Sequence, residues 1–263
     1  MKHIIAFFFV LLLTGQVAFA QNDLSSIQQK GVLRVGMEVG YVPFEMTNKE
    51  GKYIGFDVSI AEEIANRIGV KIELIDTPWD NIFSDLVAGK YDIAMSGITI
   101  TSERKKIVDF TSPYFVGGQT LLVNKRKAGD IRSFRDVNKP GIRIVTKQDT
   151  VAENIVKNFF SKAQITLMNK QEDDIVEALI RGEADVFVYD FPYLSVASTA
   201  HTDTTVFLPV PFTYEPFGMA VKKGNRSLLD RVNAEIAAIK AEGVYQKLHD
   251  YWFGSTDWEK ELE

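Results

Sequence analysis

Leu86-Val-Ala-Gly-Lys-Tyr-Asp92 and Leu179-Ile-Arg-Gly-Glu-Ala-Asp185 share one spacing, Leu-x-x-Gly-x-x-Asp, in two distant parts of the chain. In each, the leucine belongs to an apolar helical face, the glycine ends the helix and the aspartate opens a strand. Seven residues could match by chance, but their surroundings match as well. Upstream of the first copy, Val32-Leu33-Arg34-Val35 reads as a strand, and Gly55-Phe56-Asp57 leads into a helix. Ile60, Ala61, Ile64, Ala65 and Ile68 make one face of that helix, which Gly69 stops. A strand over Lys71 to Ile75, a helix with Ile82, Phe83, Leu86 and Val87, and the strand Asp92 to Met95 complete the unit. The second copy has the same order. Arg143 to Val145 is a strand, Thr150 to about Phe160 a helix, and Ile165 to Met168 a strand. Asp173 to Arg181 is a helix burying Ile175, Val176, Leu179 and Ile180, and Asp185 to Val188 closes the unit.

Strands that alternate with helices predict an α/β fold with two mainly parallel sheets, because each crossover must travel back before the next strand begins. Open parallel sheets bind ligands beyond the carboxyl ends of their strands. Those ends are Ser96-Gly97 in the first unit and Tyr189-Asp190 in the second, so a cleft between two lobes is expected. Pro113 to Gly118 leaves the first unit and Thr213 to Gly218 returns from the second, giving two hinge crossings. Lobe one is expected over 21–115 and 216–263, and lobe two over 116–215. After the return, a strand over Met219 to Val221, a helix from about Leu228 to Ala241 and another ending near Phe253 should pack back on lobe one.

Residues 1–20 read as a removable export signal. Lys2 and His3 precede the apolar run Ile4 to Leu13, and Ala18-Phe19-Ala20 gives the small-x-small cleavage pattern before Gln21. That run is well short of the roughly 20 apolar residues needed to span a bilayer, so no membrane span is expected. The formal charge of −5 becomes −6 once Lys2 is removed, which argues against nucleic acid as a partner. The chain has no cysteine, hence no disulfide, no thiolate nucleophile and no cysteine to carry a lipid. Export without a lipid anchor points to a periplasm.

Several further segments carry a family resemblance. They are Gly31 to Gly36, Tyr41-Val-Pro-Phe44, Gly55-Phe-Asp57, Gly97-Ile-Thr-Ile-Thr-x-x-Arg104, Phe110-Thr-Ser-Pro-Tyr114, Phe217 to Val221 and Gly243 to Gly254. In this order they resemble the family 3 periplasmic solute-binding proteins that feed polar amino acids to ABC transporters. The resemblance spans nearly all of the mature chain. It implies the type II two-lobed binding-protein fold with two hinge strands, a free amino acid ligand and an ABC permease as partner. A monomer with no cofactor, no metal and no catalytic residue is expected.

The residue types suit that ligand, because an amino acid presents a carboxylate and an ammonium that are costly to bury unpaired. Arg104 offers a planar fork for the carboxylate, although Glu103-Arg104-Lys105-Lys106 read by itself is a solvated charge run. Ser96 and Gly97 end a strand in the cleft, where Thr99 adds a hydroxyl and Gly97 permits close backbone approach. The helix beginning near Thr150 aims its positive end at the same carboxylate. Asp190 suits the ammonium, or else caps the segment that follows. In the family resembled here, positions matching Arg104 and Asp190 bind carboxylate and ammonium, and Tyr41 and Trp79 match aromatic pocket walls. Phe44 reads as core. Glu38, Lys147 and Tyr189 should tune side-chain choice: Glu38 favours a cationic side chain and Lys147 an acidic or amide one, unless the two pair with each other. Where the family commonly has Gly-Thr-Thr or Gly-Thr-Gly, this chain has Asp149-Thr150-Val151, and Asp149 is a candidate helix cap.

An enzyme is the main alternative. Ser102-x-x-Lys105 lacks the companion motifs of a serine β-lactamase, and His201 and His249 stand near no nucleophile motif. A periplasmic cyclohexadienyl dehydratase shares the scaffold and needs a buried general acid, for which Glu38 and Glu153 are candidates.

Overall fold

The computed structural model describes residues 23–262, so the expected export signal and its cleavage site lie outside the described residues. Two five-stranded sheets form the frame. In the first, the order is Lys71–Asp76, Val32–Met37, Ile93–Ala94, Ala220–Lys222 and Val108–Phe110. In the second it is Gln164–Met168, Arg143–Lys147, Val186–Asp190, Gln119–Asn124 and Thr205–Leu208. Each sheet has three parallel neighbours, then one strand running back, then an edge strand antiparallel to that one. The sheets are therefore mainly parallel. In both, the reversed strand is the one that follows an interlobe crossing, because the chain arrives there from the other lobe.

The helices bury the faces that their spacing predicts. Phe56–Ile68 turns Ile60, Ala61, Ile64, Ala65 and Ile68 inward and ends at Gly69 with φ 83°. Val151–Phe159 and Glu172–Ile180 do the same for the second sheet, although Ile180 is only partly buried. The last two helices, Arg226–Ala241 and Val244–Gly254, return to lobe one: Arg67 pairs with Glu242 at 2.6 Å, and the Trp252 indole N–H donates to Ser59 at 3.1 Å. Among the described residues, no helix is long and apolar enough to cross a membrane.

The repeated Leu-x-x-Gly-x-x-Asp spacing has a structural cause. Asp92 accepts the Arg34 backbone N–H at 2.9 Å and Nη2 at 2.7 Å, while Arg34 Nη1 donates to the Lys90 carbonyl at 2.8 Å. Asp185 repeats the arrangement with Arg143, again at 2.9 and 2.7 Å, and Arg143 Nη1 reaches the Glu183 carbonyl at 3.1 Å. Gly89 and Gly182, with φ 78° and 79°, turn the chain so that each aspartate meets the first strand of its own βαβαβ unit. The same clamp thus locks the first and third strands of each βαβαβ unit, which are neighbours in the sheet.

The two crossings meet as a small antiparallel pair, Phe115–Gly117 against Glu215–Phe217. Phe115 stacks on Phe217 with centroids 5.7 Å apart and packs against Phe44 at 5.1 Å and Phe253 at 5.0 Å, which anchors the pair to lobe one. Phe44 is fully buried, as its core assignment predicts. The glycines here serve close packing. A Cβ on Gly117 would lie 2.6 Å from the Phe217 ring, and one on Gly118 would lie 2.3 Å from the Thr213 carbonyl oxygen.

Burial opposes charge on Asp185, but the hydrogen bonds from Arg143 outweigh it and hold the carboxyl below its ordinary value. A depressed folded-state pKa stabilises the protein above the ordinary value, and the effect is lost as pH falls through the folded one. Asp185→Asn should cost about 1–2 kcal/mol at pH 7, the exposed part of Arg143 being screened. Urea unfolding should show the gap shrinking in acid below the ordinary value of 3.8. A gap independent of pH would mean that the clamp acts only through packing.

Candidate functional site

The strand ends of both sheets face one cleft of ≈ 370 Å³, counting its mouth to solvent. Glu38, Tyr41, Trp79, Ser96, Gly97, Thr99 and Arg104 line it from lobe one, and Thr150 and Asp190 from lobe two. Lys147 lies behind this wall, joined to Glu38. A wider groove runs past Val42, Tyr193, Val196, Trp258 and Leu262, but it lacks the facing charges of opposite sign found in the cleft.

Arg104 sits in a tight turn, where the Thr101 hydroxyl accepts its backbone N–H at 3.1 Å. Its guanidinium carbon lies 5.3 Å from the centre of the Trp79 ring and 5.4 Å from that of Phe83. Nη1 donates to the Thr99 carbonyl at 2.9 Å. Among the described residues, no carboxylate lies within ion-pair distance of this group. Desolvation lowers its pKa to about 10, opposed by Asp190 and Glu215, so it remains charged at neutral pH. It is therefore not part of a solvated run; Lys105 and Lys106 beside it are exposed.

Asp190 ends a buried strand and accepts two hydrogen bonds, from the Tyr41 hydroxyl of the opposite lobe at 2.7 Å and from Gln119 Nε2. It makes no side-chain cap to the helix Phe191–Ala197. Gln119 Nε2 also reaches Glu215 Oε2 at 3.2 Å, and Thr99 Oγ1 donates to the same oxygen at 3.3 Å. The aspartate is thus joined through one amide to a carboxylate in the hinge strand.

Ser96 and Gly97 are more committed than their position predicts. The Ser96 hydroxyl donates to Glu45 and accepts the Glu38 backbone N–H at 3.1 Å. The Gly97 N–H goes to Asp57 Oδ2 at 3.0 Å, which the Tyr114 hydroxyl also meets at 2.7 Å. Glycine is required at 97 because its φ is +54° and a Cβ would lie 2.5 Å from the Tyr41 ring. Its close approach is to that ring, and its N–H is already spent. Tyr41 in turn stacks on Phe44 and Tyr193, at 5.0 and 5.9 Å.

Thr150 is the N-cap residue of its helix, yet its hydroxyl donates back to the Lys147 carbonyl at 2.8 Å. Asp149 is not a cap. It adopts φ 58°, the left-handed region that a glycine enters easily, and its N–H donates to Glu153 at 2.6 Å. The Asp149 carbonyl accepts the Trp79 indole N–H at 3.0 Å, a further contact between lobes.

Of the two alternatives for Glu38 and Lys147, the structure adopts the pair. Lys147 Nζ donates to Glu38 and, at 3.0 Å, to Glu172 Oε1. Burial works against the lysine charge, but Glu172 and Glu38 hold its pKa above the ordinary value. Burial and Glu172 raise Glu38, against the pull of Lys147. Tyr189 donates its hydroxyl to Glu172 at 2.5 Å. Gln119 and Glu172 were not legible as site residues. Gln119 opens a strand among residues expected to act as a hinge, and Glu172 looks like one more acid in a helix's first turn.

A model of the bacterial extracellular solute-binding proteins, family 3, matches residues 33–255. The chain belongs to that family. It is 30% identical over 241 residues to the L-cystine-binding protein of Escherichia coli, covering 90% of this chain and 89% of that protein. It is 29% identical over 212 residues to the cyclohexadienyl dehydratase of Pseudomonas aeruginosa, covering 81% and 77%. A solved putative ABC-transporter binding component of Wolinella succinogenes, complexed with lysine, is 41% identical, with a TM-score of 0.83 over 88% of this chain and 99% of that one.

Burial, reinforced by Glu215, raises the Asp190 pKa to about 8, against the hydrogen bonds from Tyr41 and Gln119. A raised carboxyl pKa stabilises the fold below the ordinary value of 3.8, and that contribution is lost as pH rises through about 8. In ligand-stripped protein, Asp190→Asn should therefore be more stable than the parent at pH 8, by more than about 1 kcal/mol. The advantage should vanish toward pH 4. Urea titrations at the two pH values check this, and an Asn variant less stable at pH 8 would contradict it.

Proposed function

We propose that this chain is a monomeric periplasmic binding protein, not an enzyme, that closes two lobes around a free amino acid and delivers it to an ABC permease. The proposed mature protein starts after residue 20 and carries no lipid. Lobe one comprises 21–115 and 216–263, lobe two 116–215, and the paired crossings between them form the hinge.

One observation carries the reading: the charged Arg104 guanidinium of lobe one has no carboxylate partner among the described residues, and the Asp190 carboxyl of lobe two faces the same cleft. An α-carboxylate on Arg104 and an α-ammonium on Asp190 would pair both charges with one small molecule. Neither lobe holds both ends, so the ligand favours the closed arrangement through contacts that only closure makes. The first-turn N–H groups of the Val151–Phe159 helix, which no side-chain cap takes up, would supply a second carboxylate contact from lobe two. The relatives named above for cystine and lysine support an amino acid head group and differ in the side chain.

The dehydratase relative keeps an enzyme in view, but the candidate acids are occupied. Glu38 accepts from Lys147, from the Trp79 N–H at 3.3 Å and from Gln171 at 3.4 Å, a set of donors suited to an ionised acceptor. Glu153 is bonded to Lys157 and to the Asp149 N–H. Incubation with prephenate or arogenate should leave their absorbance unchanged, and turnover would overturn the non-enzymatic reading.

Arg104→Ala should weaken amino acid binding by about 2–5 kcal/mol with the fold retained. N-acetylation of the best ligand should be comparably damaging, since it removes the charge meant for Asp190. Calorimetry gives both numbers. Arg104→Ala affinity within about threefold of the parent, a difference well under 1 kcal/mol, would remove Arg104 from the site.

A further inference from the structure

Behind the proposed head-group contacts, the cleft ends in a small charged wall. Lys147 stands between Glu38 of lobe one and Glu172 of lobe two, and Tyr189 closes the wall from the neighbouring strand. Glu172 is 1% exposed, and its two carboxylate oxygens are used unequally. Lys147 Nζ and the Tyr189 hydroxyl both donate to Oε1. Oε2 is buried with no hydrogen-bond partner among the described residues, and Glu172 lines the cleft.

A buried carboxylate oxygen without a donor is costly, and a ligand that brings a donor recovers that cost. Charge points the same way. Two carboxylates share one ammonium at this wall, leaving one negative charge. At the head-group end, the Arg104 charge faces Asp190 and Glu215, whose carboxyls burial raises, Asp190 to about 8. The head of an amino acid is neutral overall and does not change the charge of the wall. A cationic side chain would cancel the excess at the wall, an amide would supply only a donor, and a carboxylate would double it. Lys147 is not free to offset such a carboxylate, because both glutamates already hold it.

We propose that Glu172 is the specificity-determining residue of the cleft, its unpartnered Oε2 receiving the cationic side-chain terminus of a basic amino acid. This rests on the amino acid reading above and adds the ligand's class. Glu38 and Lys147 fix the Glu172 carboxylate in place, Lys147 by holding Oε1 and Glu38 by holding Lys147. The selection is steep because the contact is shielded from water: a terminus that lacks a donor leaves Oε2 buried and bare.

Calorimetry on the ligand-stripped chain with L-lysine, L-arginine, L-norleucine, L-glutamine and L-glutamate tests the proposal. Norleucine keeps the length of the lysine chain without its ammonium. Lysine or arginine should bind at least about tenfold more tightly than norleucine, with glutamate weakest. Glu172→Gln, checked for folding by circular dichroism, should reduce the preference for lysine over norleucine to less than about threefold, with norleucine itself little changed. A purely structural role for Glu172 would weaken both ligands together and leave their ratio intact, which would overturn the proposal. If the variant does not fold, the parent's ratio decides. Norleucine or glutamine binding as tightly as the best basic amino acid would overturn the proposal and leave the binding-protein reading standing. Binding of no amino acid at all would overturn both.

Discussion

The Arg104 guanidinium is charged, flanked by Trp79 and Phe83, and, among the described residues, bonded to one carbonyl oxygen and to no carboxylate. Such a group is expensive to keep out of water unless something pairs with it. The surroundings hold it in place without neutralising it: Thr101 fixes the turn, Thr99 accepts one N–H, and the rings cover the faces. The acids that could have quenched it, Asp190 and Glu215, are held back by Tyr41, Gln119, Thr99 and Thr213. The cleft therefore presents a charged guanidinium and, separately restrained, a carboxyl that an incoming ammonium would ionise, to whatever enters between the lobes. That arrangement is preorganised for a zwitterion.

Two kinds of support keep the restraint rigid. In each lobe, an arginine–aspartate clamp ties the amino ends of two neighbouring parallel strands, and the site lies at the opposite, carboxyl ends of the same strands. Gln119 donates to Asp190 and to Glu215, so the cleft aspartate and the crossing strand share one amide. Movement of the crossing strands consequently changes the partners of Asp190 directly. The aromatic packing around Phe115 and Phe217 anchors the crossing strands to lobe one.

Most of the frame was legible in the sequence because it rests on periodicity and on repeated punctuation. The Leu-x-x-Gly-x-x-Asp spacing placed both helix stops and both strand starts, while the arginine partners that make each aspartate a clamp come from a distant strand. Arg104 and Asp190 were legible as a pair only with the family resemblance, because a charge run and a possible cap look the same without the fold. The commitments inside the cleft were not legible. Nothing in the order of residues says that the Gly97 N–H belongs to Asp57, or that Asp149 takes a left-handed turn and leaves the cap position to Thr150. Glu172 was hidden for the same reason: its unequal oxygens are set by Lys147 and Tyr189, which come from other strands.

A crystal structure of the protein with a bound amino acid reads the ligand's orientation in the cleft. The prediction places the α-carboxylate within hydrogen-bond distance of Arg104 and the N-terminal end of the Val151–Phe159 helix, and the α-ammonium on Asp190. A ligand bound in the reverse sense, with its ammonium away from Asp190, or one seated outside this cleft, would contradict the account.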